Sequence, residues 1–304
     1  MSEVPIGSES ENLARERGSR TAELVAAARA GHIVRDERPF MMEDRYAIHL
    51  VGDRWQRIFA SRVKEWLLRK LVLRKVMPFA TYVLIRGRFT DDRVVAAANG
   101  GVRQLVILGA GFDTFALRFP DLGVRVFEVD LRASRELKEE RLAAAGIEIP
   151  EHLRFVTVDF ESDDLGERLW RAGFDPAVPA VFAWMGVTFY LTREAVSDTL
   201  ARVGELAAPG SELIFDYLSV REQVAAAELR RFDALLAFVA KHGEPMITRF
   251  HPHNVTEELG LEDRWDVVEH HLPSEHVDTW LGDRTDMAPI PALLRFLHLR
   301  RASG

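Results

Sequence analysis

An α/β fold built on a mostly parallel, Rossmann-like sheet is what this chain predicts, on three observations. A short apolar stretch, Leu105–Leu108, runs straight into a glycine turn at Gly109, Ala110 and Gly111. A second apolar stretch ends in Glu128 and Asp130, 19 and 21 residues beyond Gly109. Further short apolar segments recur down the chain with helical patterns between them, the alternation that right-handed crossovers and parallel pairing require.

Taken in order, residues 1 to about 12 are polar and small (Ser2, Glu3, Gly7, Ser8, Glu9) and are expected to be disordered, having little to bury. Helical periodicity starts near Leu13 and returns over Trp66–Val76, where apolar and basic residues take opposite faces. Residues 1–98 are therefore expected to form a helical extension and lid, and 99–304 the core of a single compact domain. Strands are expected at Leu105–Leu108, Val124–Val129, Phe155–Val158, Ala180–Trp184 and Glu212–Tyr217, followed by a long helix over Val220–Lys241. Two more strand-like segments, Trp265–His271 and Leu293–Leu299, bring the total to seven.

The glycines give the turn after the first strand the freedom to bring backbone close to a ligand. The carboxylates of Glu128 and Asp130 stand where the tip of a neighbouring strand meets ribose hydroxyls. A dinucleotide fingerprint would place a third glycine where this chain has Thr114, and Asp113 would set a negative charge where a pyrophosphate should sit. That charge suits a ligand carrying an ammonium or sulfonium, such as S-adenosyl-L-methionine.

These motifs together resemble the leucine carboxyl methyltransferase-like family of class I S-adenosylmethionine-dependent O-methyltransferases, in particular its bacterial, natural-product members. The resemblance runs from about Arg86 to Leu218 and is carried by Ile85-Arg86-Gly87-Arg88 with Asp92, by Gly101–Thr114, by Phe127-Glu128-Val129-Asp130, by Val158-Asp159-Phe160, by Gly173–Pro176 and by Phe189-Tyr190-Leu191. It implies a class I methyltransferase sheet whose last strand inserts antiparallel, with a lid from the N-terminal helices and from an insertion after strand five. It also implies that Asp159 meets the adenine amino group while Phe160 covers the ring, and that Arg86, or Arg88, clamps the methionine carboxylate. Asp113 is expected near the methionine portion, and Arg29 as an N-terminal basic contact. The acceptor pocket is expected around Tyr190 and Gly243–Asn254.

Two positions depart from the family pattern. Phe115 stands where many relatives carry arginine, and Met185 precedes Gly186 where relatives carry glutamate. Met185 is thus either a retuned wall of the acceptor pocket or a sign of weakened turnover. A carboxylate acceptor arrives ionised, whereas an alcohol or phenol wants a base, for which His251, His253 and Asp216 are the candidates. A protein that retains the cofactor without transferring methyl groups is the alternative reading, and a nicotinamide oxidoreductase a more distant one.

Composition narrows the class further. The 304 residues are 47% hydrophobic, enough for one large core, and the net charge of -7 argues against a nucleic-acid partner. With no cysteine, disulfides and thiolate chemistry are excluded and a reducing cytoplasm is the expected compartment. The polar N-terminus and the lack of any long apolar run argue against secretion or membrane insertion. The histidine pairs His251/His253 and His270/His271 lack helical i, i+4 spacing, so no metal is expected. The expected partner is a small-molecule acceptor, and oligomeric state leaves no signal in the sequence.

Overall fold

A computed structural model describes residues 7–36, 38–61, 77–160, 163–224, 226, 228–241, 245–276, 279–280 and 293–302. The strands are β1 (Gln104–Leu108), β2 (Arg125–Asp130), β3 (Leu153–Thr157), β4 (Val181–Trp184), β5 (Glu212–Leu218), β6 (Trp265–His271) and β7 (Leu294–Arg301). The helices are α1 (Gly7–Arg35), α2 (Asp53–Phe59), α3 (Met77–Asn99), α4 (Phe115–Arg118), α5 (Arg132–Ala144), α6 (Leu165–Arg171), α7 (Arg193–Leu206), α8 (Leu229–Lys241) and α9 (Val255–Glu258). The seven strands form one sheet in the order β3-β2-β1-β4-β5-β7-β6. Strands β1 to β5 pair in parallel, while β7 slots antiparallel between β5 and β6. This is the class I methyltransferase arrangement that the sequence implied.

Burial explains why these segments pair as they do. All of β4 and β5 is buried, as expected of strands covered on both faces, so their sequences read as apolar runs rather than alternations. Alternate residues then feed opposite layers. Val106, Leu108, Phe127, Phe182 and Phe215 pack against α6 and α7, whereas Leu105, Val126, Ala183 and Ile214 pack against Tyr82, Ile85 and Phe89 of α3. Each such large side chain contributes about 1.5–3 kcal/mol by leaving water. Strand β6 at the sheet edge is exposed or half-buried beyond Trp265 and carries a bulge between Val267 and Glu269, both usual ways of blunting an open edge.

The chain runs outward from β1 through β2 to β3, then returns to the other side of β1 with β4 and β5. Helices that must start sharply there carry side-chain caps, Asp164 accepting from Glu167 N at 2.9 Å for α6 and Thr192 from Ala195 N at 3.2 Å for α7. The reversal leaves a crevice at the carboxyl ends of β1 and β4. Across it lies α1, whose small residues Ala26, Ala27 and Ala30 approach Phe112, Leu117 and Leu142 closely.

Two expectations change. The backbone is already helical from Gly7, so the stretch expected to be disordered is too long, residues 1–6 lying outside the described residues. The helix expected over Val220–Lys241 is interrupted, with a 3-10 turn at Arg221–Gln223 and α8 only from Leu229. Its first residues are drawn straight because Ser219 bridges Phe250 and Val220 N donates to Phe250 O at 3.1 Å, so tertiary pairing outweighs local helix preference. The helix expected over 66–76 lies outside the described residues. No helix among the described residues is long and apolar enough to cross a membrane.

Candidate active site

The turn after β1 is shaped by glycine at two positions where no other residue fits. Gly109 has φ +67° and a Cβ there would lie 2.6 Å from Val187 Cγ2, while Gly111 has φ +51° and faces Ala22 of α1. Gly109 N and Ala110 N both donate to Val129 O, at 2.8 and 3.1 Å, which ties the turn to β2. Asp130 completes the tie. Its Oδ2 accepts from Gly111 N at 2.5 Å and its Oδ1 from Leu131 N at 2.7 Å. Burial raises the Asp130 pKa, while those backbone donors pull it back. Ser134 also donates to this carboxylate, which lines the cleft.

Glu128 does not join it. Although two residues from Asp130 on the same face, it sits one pleat deeper, 3% exposed, in an ion pair with the equally buried Lys138. Lys138 Nζ also donates to Asp113 O at 2.5 Å, so the pair props the glycine turn from below. Burial pushes Glu128 up to about 7, against the opposing pull of Lys138. Glu128, expected beside Asp130 at the ligand, is thus drawn away from the cleft, and of the two strand-end carboxylates Asp130 is the one that lines it. Asp113 lines the cleft, but its Oδ1 accepts from Phe115 N at 2.6 Å and so caps the start of α4.

The two arginines point in different directions. Arg88 turns outward to Asp92, with Nε 2.8 Å from Oδ1, whereas Arg86 enters the cleft. There its guanidinium lies over Gly186, where φ is +79° and a Cβ would sit 1.9 Å from Nη1. Beneath Gly186 is the fully buried Asp216, which accepts from Gly186 N at 2.7 Å and from the Tyr82 hydroxyl. Burial raises the Asp216 pKa, with the Arg86 charge opposing it. So placed, Asp216 fixes the turn after β4 and is no base for a substrate.

A third set of charges joins Arg29 to residues that carry no motif in the sequence. Arg29 of α1, 4% exposed, donates to Phe112 O and lies 3.4 Å from Asp44 Oδ2. Asp44 also accepts from Thr114 Oγ1 at 2.8 Å, and Thr114 Oγ1 in turn accepts from Arg118 Nε at 3.0 Å. Arg118 closes the network on Asp91 with a two-pronged ion pair, Nη2 to Oδ1 being 2.8 Å. Burial pushes Asp91 up, against Arg118. Asp44 and Asp91 meet their partners Thr114 and Arg118 across 70 and 27 residues.

The remaining expected residues divide. Asp159 and Phe160 line the cleft at the end of β3, Phe160 standing 6.4 Å from Trp184. Met185 and Tyr190 line the opposite wall together with Met42, Val83, Leu191 and Ile247. That wall is pinned by Ile247 N donating to Phe189 O at 2.8 Å. Of the segment expected to shape the acceptor pocket, Pro245 and Ile247 reach the cleft, while residues 243–244 lie outside the described residues. His251 is a correction: it is half-exposed on the far side of its loop, paired through Nδ1 with Glu258 at 2.7 Å and edge-on to His253. The cleft these residues enclose has a volume of about 650 Å³, in the range of small-molecule sites.

Comparison with known proteins follows the same lines. Residues 22–204 match the model of the leucine carboxyl methyltransferase family. A relative from Mycolicibacterium smegmatis, provisionally named an S-adenosyl-L-methionine-dependent methyltransferase, is 33% identical over 252 residues, covering 81% of this chain and 80% of its own. YktD of Bacillus subtilis strain 168, named likewise, is 32% identical over 200 residues, and the match spans 65% of each chain. Among solved structures, a provisionally named methyltransferase from Thermobifida fusca YX shares the fold at a TM-score of 0.55 and 17% identity, covering 85% of this chain and 93% of its own. A protein of the duf574 family from Streptomyces avermitilis does so at 0.54 and 14%, covering 90% and 96%. The chain belongs to the leucine carboxyl methyltransferase family.

Proposed function

We propose that the protein transfers the methyl group of S-adenosylmethionine to a carboxylate oxygen of a small-molecule acid. The cofactor half of this reading is supported by the cradle itself. Side chains are kept off the glycine turn at Gly109 and Gly111, Asp130 stands ready for ribose hydroxyls, and Phe160 offers a face to adenine. Arg86, already held over Gly186, is placed to take the methionine carboxylate in a two-pronged contact. A dinucleotide pyrophosphate fits poorly, because Asp113 caps the very helix start that would seat it.

The carboxylate acceptor rests on one observation: of the candidate bases, His251 is turned to Glu258 and Asp216 is fully buried under Gly186, while the described wall at Met42, Val83, Met185, Leu191 and Ile247 adds only the Tyr190 hydroxyl. The bound sulfonium supplies an already activated methyl group. What the chain must do is hold an oxygen in line with it and exclude water. An anionic oxygen asks for no proton removal, and His251, the expected base, points away.

The deciding experiment incubates the protein with methyl-labelled S-adenosylmethionine and separate panels of carboxylic acids and phenols, then treats the products with mild alkali. Methyl esters release methanol and aryl ethers do not, so label stable to alkali refutes the carboxylate reading. Met185, in place of the family's glutamate, supports a second reading in which the cofactor is bound but not used. It predicts that S-adenosylhomocysteine raises the melting temperature while neither panel becomes labelled.

A further inference from the structure

His270 and His271 are adjacent in the chain and lack the spacing of a metal motif. Folding regroups them. His271 and His270 point to opposite faces of β6, but His271 shares a face with Glu269, two residues earlier. The chain then turns through a short 3-10 segment, Pro273–His276, which brings the ring of His276 back to 5.0 Å from that of His271, edge-on at 83°. One ligand atom from each of Glu269, His271 and His276 falls within 4.8 Å of the others.

We propose that Glu269, His271 and His276 form a binding site for one divalent transition-metal cation of the zinc class, outside the methyl-transfer cleft and distinct from it.

Donor chemistry selects the ion. Two imidazoles and a carboxylate suit zinc, cobalt or nickel, whereas calcium and magnesium want an oxygen shell. The spacing is close to what bonding requires. Ligands about 2.0–2.1 Å from a tetrahedral zinc stand roughly 3.3 Å apart, and His271 Nε2 is already 3.6 Å from Glu269 Oε2. Small rotations of His276 close the remainder.

The surroundings point the same way. Glu275 Oε2 lies 3.3 Å from His271 Nδ1, so that nitrogen donates outward and Nε2 presents its lone pair to Glu269. A carboxylate behind a ligating imidazole is the usual outer support of a zinc ligand. Arg93 of α3 donates to Glu269 and fixes the carboxylate, its charge balanced by that of Glu269. His276 is backed by apolar rings, stacked at 4.7 Å on Trp280 and 5.3 Å from Phe89, and its Nε2 is buried without a hydrogen-bond partner. Bound metal would cross-link the open edge of the sheet to the turn that follows and, through Arg93, to α3.

The test uses the full-length, tag-free protein titrated with Co(II), followed by visible absorption and by quenching of tryptophan emission, since Trp280 stacks on a ligand. One equivalent of Co(II) per chain should bind and be displaced by Zn(II). His271→Ala and His276→Ala should each abolish it, and Glu275→Gln should weaken it about ten- to hundredfold. His251→Ala with His253→Ala should leave it unchanged. Circular dichroism melts of the metal-free variants verify folding, and Glu275→Gln, which keeps shape and size, carries the test should a histidine variant fail to fold. No uptake by the wild type, uptake that survives either histidine substitution, or wild-type affinity in Glu275→Gln overturns the proposal.

Discussion

The floor of the cleft beneath Gly109–Asp113 and the wall facing it from Tyr190 to Ile247 are held by different forces. The floor is fixed by charge and backbone: the Glu128–Lys138 pair below, Asp130 bonded to Gly111 N, and the Arg29–Asp44–Thr114–Arg118–Asp91 network behind. The wall is fixed by apolar side chains on loops, with single backbone bonds such as Ile247 N to Phe189 O. Buried charge pairs admit one geometry, because a displaced partner leaves an unpaired ion in low dielectric. Apolar contacts tolerate rearrangement at small cost. On the function proposed above, a site built this way would hold its cofactor rigidly and take acceptors on the apolar side.

The contrast breaks most severely at Lys138. Lys138→Met strands the Glu128 carboxylate, 3% exposed, and should cost about 3–5 kcal/mol of unfolding free energy in a urea titration. A loss below about 1 kcal/mol would mean that the floor does not depend on the pair. The same pair gives a pH signature. Folded, Glu128 titrates near 7, chiefly because of burial, against an ordinary 4.5. Between those values the folded state holds a proton that the unfolded chain has released, so this group's contribution to stability is complete below pH 4.5 and is lost as pH rises through 7. The loss is on the order of 3 kcal/mol at 1.36 kcal/mol per pH unit. Stability against pH for Glu128→Gln should lack that decline, and parallel curves for the two proteins would refute it.

Next in size is Asp130→Ala, which removes charge-assisted bonds to the ribose and to Gly111 N together. It should cost about 1.5–3 kcal/mol in S-adenosylhomocysteine binding by calorimetry, roughly ten- to hundredfold in affinity. Unchanged affinity would transfer the ribose to another partner and undo the assignment that the burial of Glu128 compelled.

The same contrast explains what could be read from the chain before folding. Strand positions and the glycine turn are legible because each rests on local signals, apolar runs, glycines and a strand-end carboxylate at fixed distance, whereas the antiparallel last strand follows only from the family resemblance. Glu128 was misjudged because two carboxylates at i and i+2 share a face, and only the register with Lys138 ten residues on shows which is sunk. Arg86 and Arg88 could have been separated by helical spacing, since Arg88 faces Asp92 at i+4 while Arg86 follows the buried Tyr82 by one turn. Asp44 and Asp91 had no such signal, their partners being 70 and 27 residues away. His251 looked available because its loop follows β5 near the expected pocket, and nothing local shows that Glu258 turns it outward.

The smallest expected effect is the one that separates the two sides of the cleft most cleanly. Tyr190 stands on the 3-10 turn after β4 and belongs to the apolar wall, with Phe189 behind it at 4.7 Å. Tyr190→Phe keeps the ring, and hence the packing, while deleting one hydroxyl. If that hydroxyl orients the acceptor, its loss should raise the acceptor KM by the worth of one neutral hydrogen bond, about 0.5–1.5 kcal/mol or roughly three- to tenfold. Affinity for S-adenosylhomocysteine should stay at the wild-type value, because the groups assigned to the cofactor lie on the floor, at the end of β3 or on α3 rather than on this turn. Steady-state kinetics with the acceptor, beside calorimetry with the cofactor product, reads both quantities on the same preparation. A variant that loses both in equal measure would show that the wall and the floor move as one body, and the division of labour between charge-fixed and apolar halves would fail.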